Sequence, residues 1–117
     1  MFRFKKYSDQ IILPIKTIAE KDGGIQRIYE FEGTMWGASV IMRYDTSYGG
    51  KEGLWEIAPQ WGGHLLRWDH ALEIGLYDTK GHLNDAQLQD ELHKIKRYAE
   101  RGLLMRIQRA FKALFNK

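Results

Sequence analysis

The residue pattern of this chain changes period once, near residue 84, and that change limits its fold more than any other feature. Before it, short branched and aromatic runs are separated by glycine turns. After it, apolar residues recur every three or four positions. A period of two marks strands with one face buried, and a period near 3.6 marks an amphipathic helix. Strands followed by one long helix, rather than alternating with helices, point to an α+β arrangement.

The strand half reads segment by segment. "IQRIYEFE" (25–32) is rich in β-forming residues, and Gly33-Thr34 suits a reversal. "MWGASVIMRYDTS" (35–47) sets Val40, Met42 and Tyr44 on one face and Ser39, Ile41 and Arg43 on the other. "LWEIA" (54–58) sets Trp55 and Ile57 opposite Leu54 and Glu56, and Pro59 is expected to end that strand or mark an edge. Gly62-Gly63 interrupts the pattern before "HLLRW" (64–68), a candidate further strand. Toward the N-terminus, "FRFKKY" alternates like an edge strand. "IILPIKTIAEK" fits a strand or a short helical turn, Pro14 opposing a long element of either kind, and "KDGG" (21–24) reads as a turn.

The helix half opens on a capping box, with Asn84 as N-cap and Gln87 three residues on. Leu83 and Leu88 are spaced to staple across that cap, Asp85 suits the helix dipole, and Asp90 precedes Lys94 at i,i+4. Leu88, Leu92, Ile95 and Ala99 form a stripe that Leu103, Ile107, Ala110 and Leu114 extend, across Gly102. Gly102 is either a C-cap dividing two helices or a tolerated interruption of one. The expectation is a single domain, 1–117. It comprises a three- to four-stranded antiparallel sheet in meander order, packed by a long or kinked C-terminal helix.

Composition narrows the function. The chain has no cysteine, which removes disulfides, thiolate nucleophiles and cysteine-held metals together. No segment reaches the roughly 18 apolar residues of a membrane span, and the N-terminal apolar run is too short and proline-broken for a signal peptide. A soluble, intracellular protein is the expectation. Charge is lopsided: residues 94–117 carry eight Lys or Arg against one acid, net +7, while the rest carry ten bases and fourteen acids, net −4. The basic stretch is a candidate for contact with an anionic partner, with Arg101, Arg106, Arg109 and Lys112 as nucleic-acid-binding candidates. Packing of the same helix on the body, through Leu103, Ile107, Phe111 and Leu114, is the competing expectation.

Catalytic signals are weak. The loop Tyr48-Gly49-Gly50-Lys51-Glu52-Gly53 has glycines but precedes a strand, and it lacks the Lys-Ser/Thr spacing of a phosphate loop. His64, His70, His82 and His93 include no i,i+4 pair, and no serine sits in a G-x-S-x-G elbow. The reading is therefore no enzyme, no cofactor and no metal. Partner-binding candidates are Tyr48, Lys51 and Glu52 in the glycine loop, and Trp61, which its Pro59, Gly62 and Gly63 neighbours are expected to place in a loop outside the core. The remaining tryptophans, Trp36, Trp55 and Trp68, are expected to pack inside.

Several of these elements recur together. Tyr48-Gly49-Gly50, then Gly53-Leu54-Trp55-Glu56-Ile57, then Gly81-His82-Leu83 opening a helix at Asn84, resembles a pattern found in small phage and prophage proteins. The stretch 60–74 is longer than in that pattern, and the basic extension after Ile95 departs from it. The resemblance implies a phage setting and transfers no catalytic residue. By analogy with that setting it implies a non-catalytic accessory protein that binds and inhibits a host defence protein, as anti-CRISPR proteins do. The alternative is a nucleic-acid-binding regulator using the basic helix.

Overall fold

The computed structural model describes residues 10–21, 23–65 and 79–115. The expected edge strand in residues 1–9, and Trp68 and His70, lie outside the described residues.

The strand-forming runs pair as antiparallel neighbours: β1 (Lys16–Ala19), β2 (Ile25–Glu30), β3 (Trp36–Met42), β4 (Trp55–Trp61), β5 (His64–Leu65) and β6 (Lys80–Leu83). The order β1-β2-β3-β4-β5 is the meander that short connections favour. β6 leaves that path and pairs with β4. The architecture is α+β as the sequence predicts, with more strands than the expected three or four. β1 was legible only as strand or turn. β6 carries no alternation, contains a glycine, and holds His82 at φ 58, so only its pairing with β4 makes it a strand.

Pro59 does not end β4. It lies between the stretch that pairs with β6 (Trp55, Ile57) and the stretch that pairs with β5 (Gln60, Trp61). A residue without an N–H is tolerated where no ladder partner stands on that side.

The register puts Tyr29, Ala38, Val40, Trp55 and Ile57 on one face, and this face is the core. The helix α1 (Asp85–Phe115) covers it with Leu88, Leu92, Ile95 and Ala99, all essentially inaccessible. The capping box forms as read: Gln87 N–H donates to Asn84 Oδ1 (2.8 Å), and Asn84 N–H to Gln87 Oε1 (2.9 Å). Leu83 and Leu88 are both buried behind it. Lys94 reaches Glu91 (3.5 Å) at i,i+3, where the sequence suggested Asp90; Glu91 also holds Lys80 of β6 at 2.7 Å. Ahead of β1, Ile12 is tied to the helix by the Gln89 side-chain amide. That amide accepts from Ile12 N–H (2.8 Å) and donates to its carbonyl (3.1 Å), as a strand partner would.

Gly102 lies inside one continuous helix. The expectation that the basic tail packs on the body is corrected. Leu104, Ile107, Phe111 and Leu114 are all more than half exposed. The cause is length. A 31-residue helix runs about 46 Å, whereas seven-residue strands span about 23 Å and five strands side by side about 24 Å. The sheet can cover only the half that ends near Ala99. The radius of gyration, 16.6 Å against about 13 Å for a compact chain of this length, reflects the overhang. The tail stripe also does not continue the body stripe. At about 100° per residue, Leu104, Ile107, Phe111 and Leu114 centre roughly 100° around the helix from Leu88, Leu92, Ile95 and Ala99.

Two stability outcomes separate the halves of the helix. Leu92→Ala should cost about 2–5 kcal/mol, whereas Phe111→Ala should stay within about 0.5 kcal/mol. Gly102→Ala, where an added Cβ meets nothing within 4 Å, should add roughly 1 kcal/mol. Urea denaturation followed by circular dichroism measures all three.

Candidate functional site

The β3–β4 loop is built around close backbone approach. Gly49 has φ 95, a left-handed conformation that branched residues resist, and a Cβ there would stand 2.8 Å from His82 Cα. Gly50 is different: its Cβ would collide with the Arg43 carbonyl and Ser47 Oγ. Gly81 of β6 meets Tyr48 in the same way, and His82 N–H donates to the Tyr48 carbonyl (2.9 Å). Loop and strand β6 thus lie backbone against backbone. Ser47 Oγ bridges Arg43, accepting from its N–H and donating to its carbonyl, both at 2.8 Å. Tyr48 N–H donates to the nearly buried Glu56 carboxylate (3.3 Å), and Gly50–Glu52 forms a 3₁₀ turn.

On this pinned backbone the side chains point outward. Tyr44 and Tyr48 are 64% and 66% exposed, and Lys51 and Glu52 are exposed. Lys51 Nζ lies 5.8 Å from the centre of the Tyr44 ring, within cation–π reach. The structure therefore brings Tyr48, Lys51 and Glu52 together and adds Tyr44. Sequence reading put Tyr44 in the strand pattern. The signal that β3 stops at Met42 was the polar run Asp45-Thr46-Ser47, whose hydroxyl closes the turn. Trp61 is half exposed but does not join them. It lies at the opposite end of β4, about 20 Å of strand away from Trp55.

Near Trp61, a cleft of about 370 Å³ opens between the β2–β3 and β4–β5 turns, with Glu30, Met35, Trp36 and Gln60 on its walls. Among the described residues Glu30 is its one carboxylate. A second groove, about 220 Å³, runs over the sheet face opposite the helix. Four of its polar side chains are engaged with the fold. Arg43 pairs with Glu20 (2.7 Å), Gln26 donates to Ser39 Oγ (3.1 Å), and Glu56 holds the loop. The histidines are dispersed: His64 is exposed on β5, His82 on β6, and His93 is buried in α1 with Nε2 against the Gln10 carbonyl. Among the described residues no group of three or more His, Asp or Glu could hold a metal ion.

The other candidate surface is the overhanging helix. Arg101, Arg106, Arg109 and Lys112 are all exposed on it. Among the described residues none of the four joins an ion pair, whereas Lys96, still beside the body, reaches Glu100 at 3.8 Å. No helix among the described residues is long and apolar enough to cross a membrane.

Compared with protein-family models, with curated proteins and with solved structures, the chain matches none significantly.

The loop geometry sets an expected outcome. Gly49→Val and Gly50→Val should each lower stability by about 1–3 kcal/mol, the first through backbone strain and the second through collision with the Arg43 carbonyl. Thermal denaturation of the two variants checks it. Unchanged melting temperatures in both would mean that the loop backbone is not held as described.

Proposed function

We propose that this chain is a non-catalytic accessory protein that acts by protein–protein contact through its β3–β4 loop. One observation carries the reading: the loop backbone is fixed by glycine contacts and by Ser47, Glu56 and His82, while the Tyr44 and Tyr48 rings project into solvent. A rigid loop loses little conformational entropy when it docks, and tyrosine offers large contact area with few rotatable bonds. Lys51 and Glu52 beside the rings supply charges of both signs for orientation. The resemblance to small phage proteins makes a host defence protein the partner class, and inhibition by occlusion, in the manner of anti-CRISPR proteins, the mode of action. Arg43, Gln26, Ser39 and Glu56 in the sheet groove already serve the fold, which favours contact over turnover.

A nucleic-acid-binding role for Arg101, Arg106, Arg109 and Lys112 has their exposure in its favour. Against it, the same helix carries an apolar arc for which phosphates have no use.

The test is a phage-plating assay in a bacterium whose CRISPR interference targets that phage. The chain should restore plating. Tyr44→Ala combined with Tyr48→Ala should remove the effect, weakening binding to the isolated partner by more than about tenfold, with an unchanged melting temperature. No restoration by the wild-type chain across interference types, or full activity of the double variant, would overturn the reading.

A further inference from the structure

The second half of α1 has the two properties that water alone does not accommodate together. Every described side chain from Leu104 to Leu114 is exposed, and apart from Met105, which lies among the cations, the large apolar side chains are sorted to one side. At about 100° per residue, Leu104, Ile107, Ala110, Phe111 and Leu114 fall within an arc of roughly 120°. Arg101, Arg106, Arg109 and Lys112 fall outside it, with Arg106 beside one border and Arg101 and Lys112 beyond the other. From Arg101 to Lys117 the sequence has no Asp or Glu. The arc is turned about a quarter of the way round the helix from the core-facing stripe, so a surface can meet it without displacing the sheet.

Three occupants can be weighed on charge. A second copy would bring four more cations against four, with no acid on this stretch to offset them, whereas paired helices use complementary flanking charges. A nucleic acid would satisfy the cations and leave the apolar arc in water. An anionic lipid surface satisfies both. The arc enters the headgroup–acyl boundary, and the arginine and lysine stems reach outward to the headgroup phosphates. Residues 101–115 give the overhang a length of about 22 Å.

We propose that residues 101–115 form a membrane-surface helix that holds the protein on an anionic bilayer without crossing it. This goes beyond the loop-mediated function and does not depend on it.

The experiment is flotation of the full chain with vesicles of phosphatidylcholine containing roughly one-third phosphatidylglycerol, against vesicles of phosphatidylcholine alone. The chain should float with the first and far less with the second, and salt should weaken it. Replacing three cations (Arg106→Gln, Arg109→Gln, Lys112→Gln) should lower the partition constant about fivefold each, on the order of 10²-fold together. Leu104→Ser, Ile107→Ser and Leu114→Ser together should abolish flotation, with melting temperature unchanged because these side chains are outside the core. Failure to float with anionic vesicles, or equal flotation with neutral ones, would overturn the proposal. So would a duplex-DNA gel shift that the serine variant retains and the glutamine variant loses. A dimer in sedimentation equilibrium that the serine substitutions dissolve, and that vesicles do not displace, would assign the face to a second copy instead. The Tyr44→Ala, Tyr48→Ala variant should float like wild type, so loss of either proposal leaves the other standing.

Discussion

The indole of Trp55 holds the two layers of this protein in register. It is buried on β4, directly opposite Leu83 of β6, and its Nε1–H donates to the Asp85 carboxylate at 2.8 Å. Asp85 is the first residue of α1, so a sheet side chain fixes where the helix begins. The Arg27 guanidinium of β2 lies 4.3 Å from the indole centre, over the same ring. One residue therefore links the sheet centre, the strand before the helix and the helix N-terminus. A buried indole left without an acceptor would carry the cost of an unmade hydrogen bond, so the pairing with Asp85 is specific as well as stabilising.

From that point the helix is committed to the sheet for about four turns. Leu88, Leu92, Ile95 and Ala99 descend along the core face, and Tyr98 meets Trp36 edge-on, with centroids 5.2 Å apart and planes at 86°. Beyond Ala99 the sheet ends and the helix does not. A helix already nucleated by tertiary packing extends at one hydrogen bond per added residue, so the overhang needs no core of its own. The result is a small folded body with a projecting rod of opposite charge character.

The glycine loop solves a different problem. Two chain segments, 48–49 and 81–82, pass close enough that a Cβ on Gly49 or Gly81 would collide across them. Compactness there is paid for in sequence freedom at Gly49 and Gly81, and the Tyr48 side chain beside them is exposed. The same loop is thus a structural joint on its inner side and a contact surface on its outer side.

Much of this was legible from residue order. The capping box at Asn84 and Gln87, the alternation in 35–42, and the glycine turns are local matters of hydrogen-bonding geometry and φ, and local sequence determines them. Trp61 is exposed as expected, but at the end of β4 rather than in a loop, since Pro59 does not end that strand. Tertiary structure decided what depends on distant partners. β6 exists because β4 offers it an edge, Pro59 stays in its strand because it falls in a gap between two partners, and Tyr44 is exposed because Ser47 folds back on Arg43. Most of all, the sequence marked an amphipathic helix to the chain's end but not which half would be covered. That depends on the span of the sheet, about 23 Å of strand against about 46 Å of helix, and a span is fixed only when strands pair.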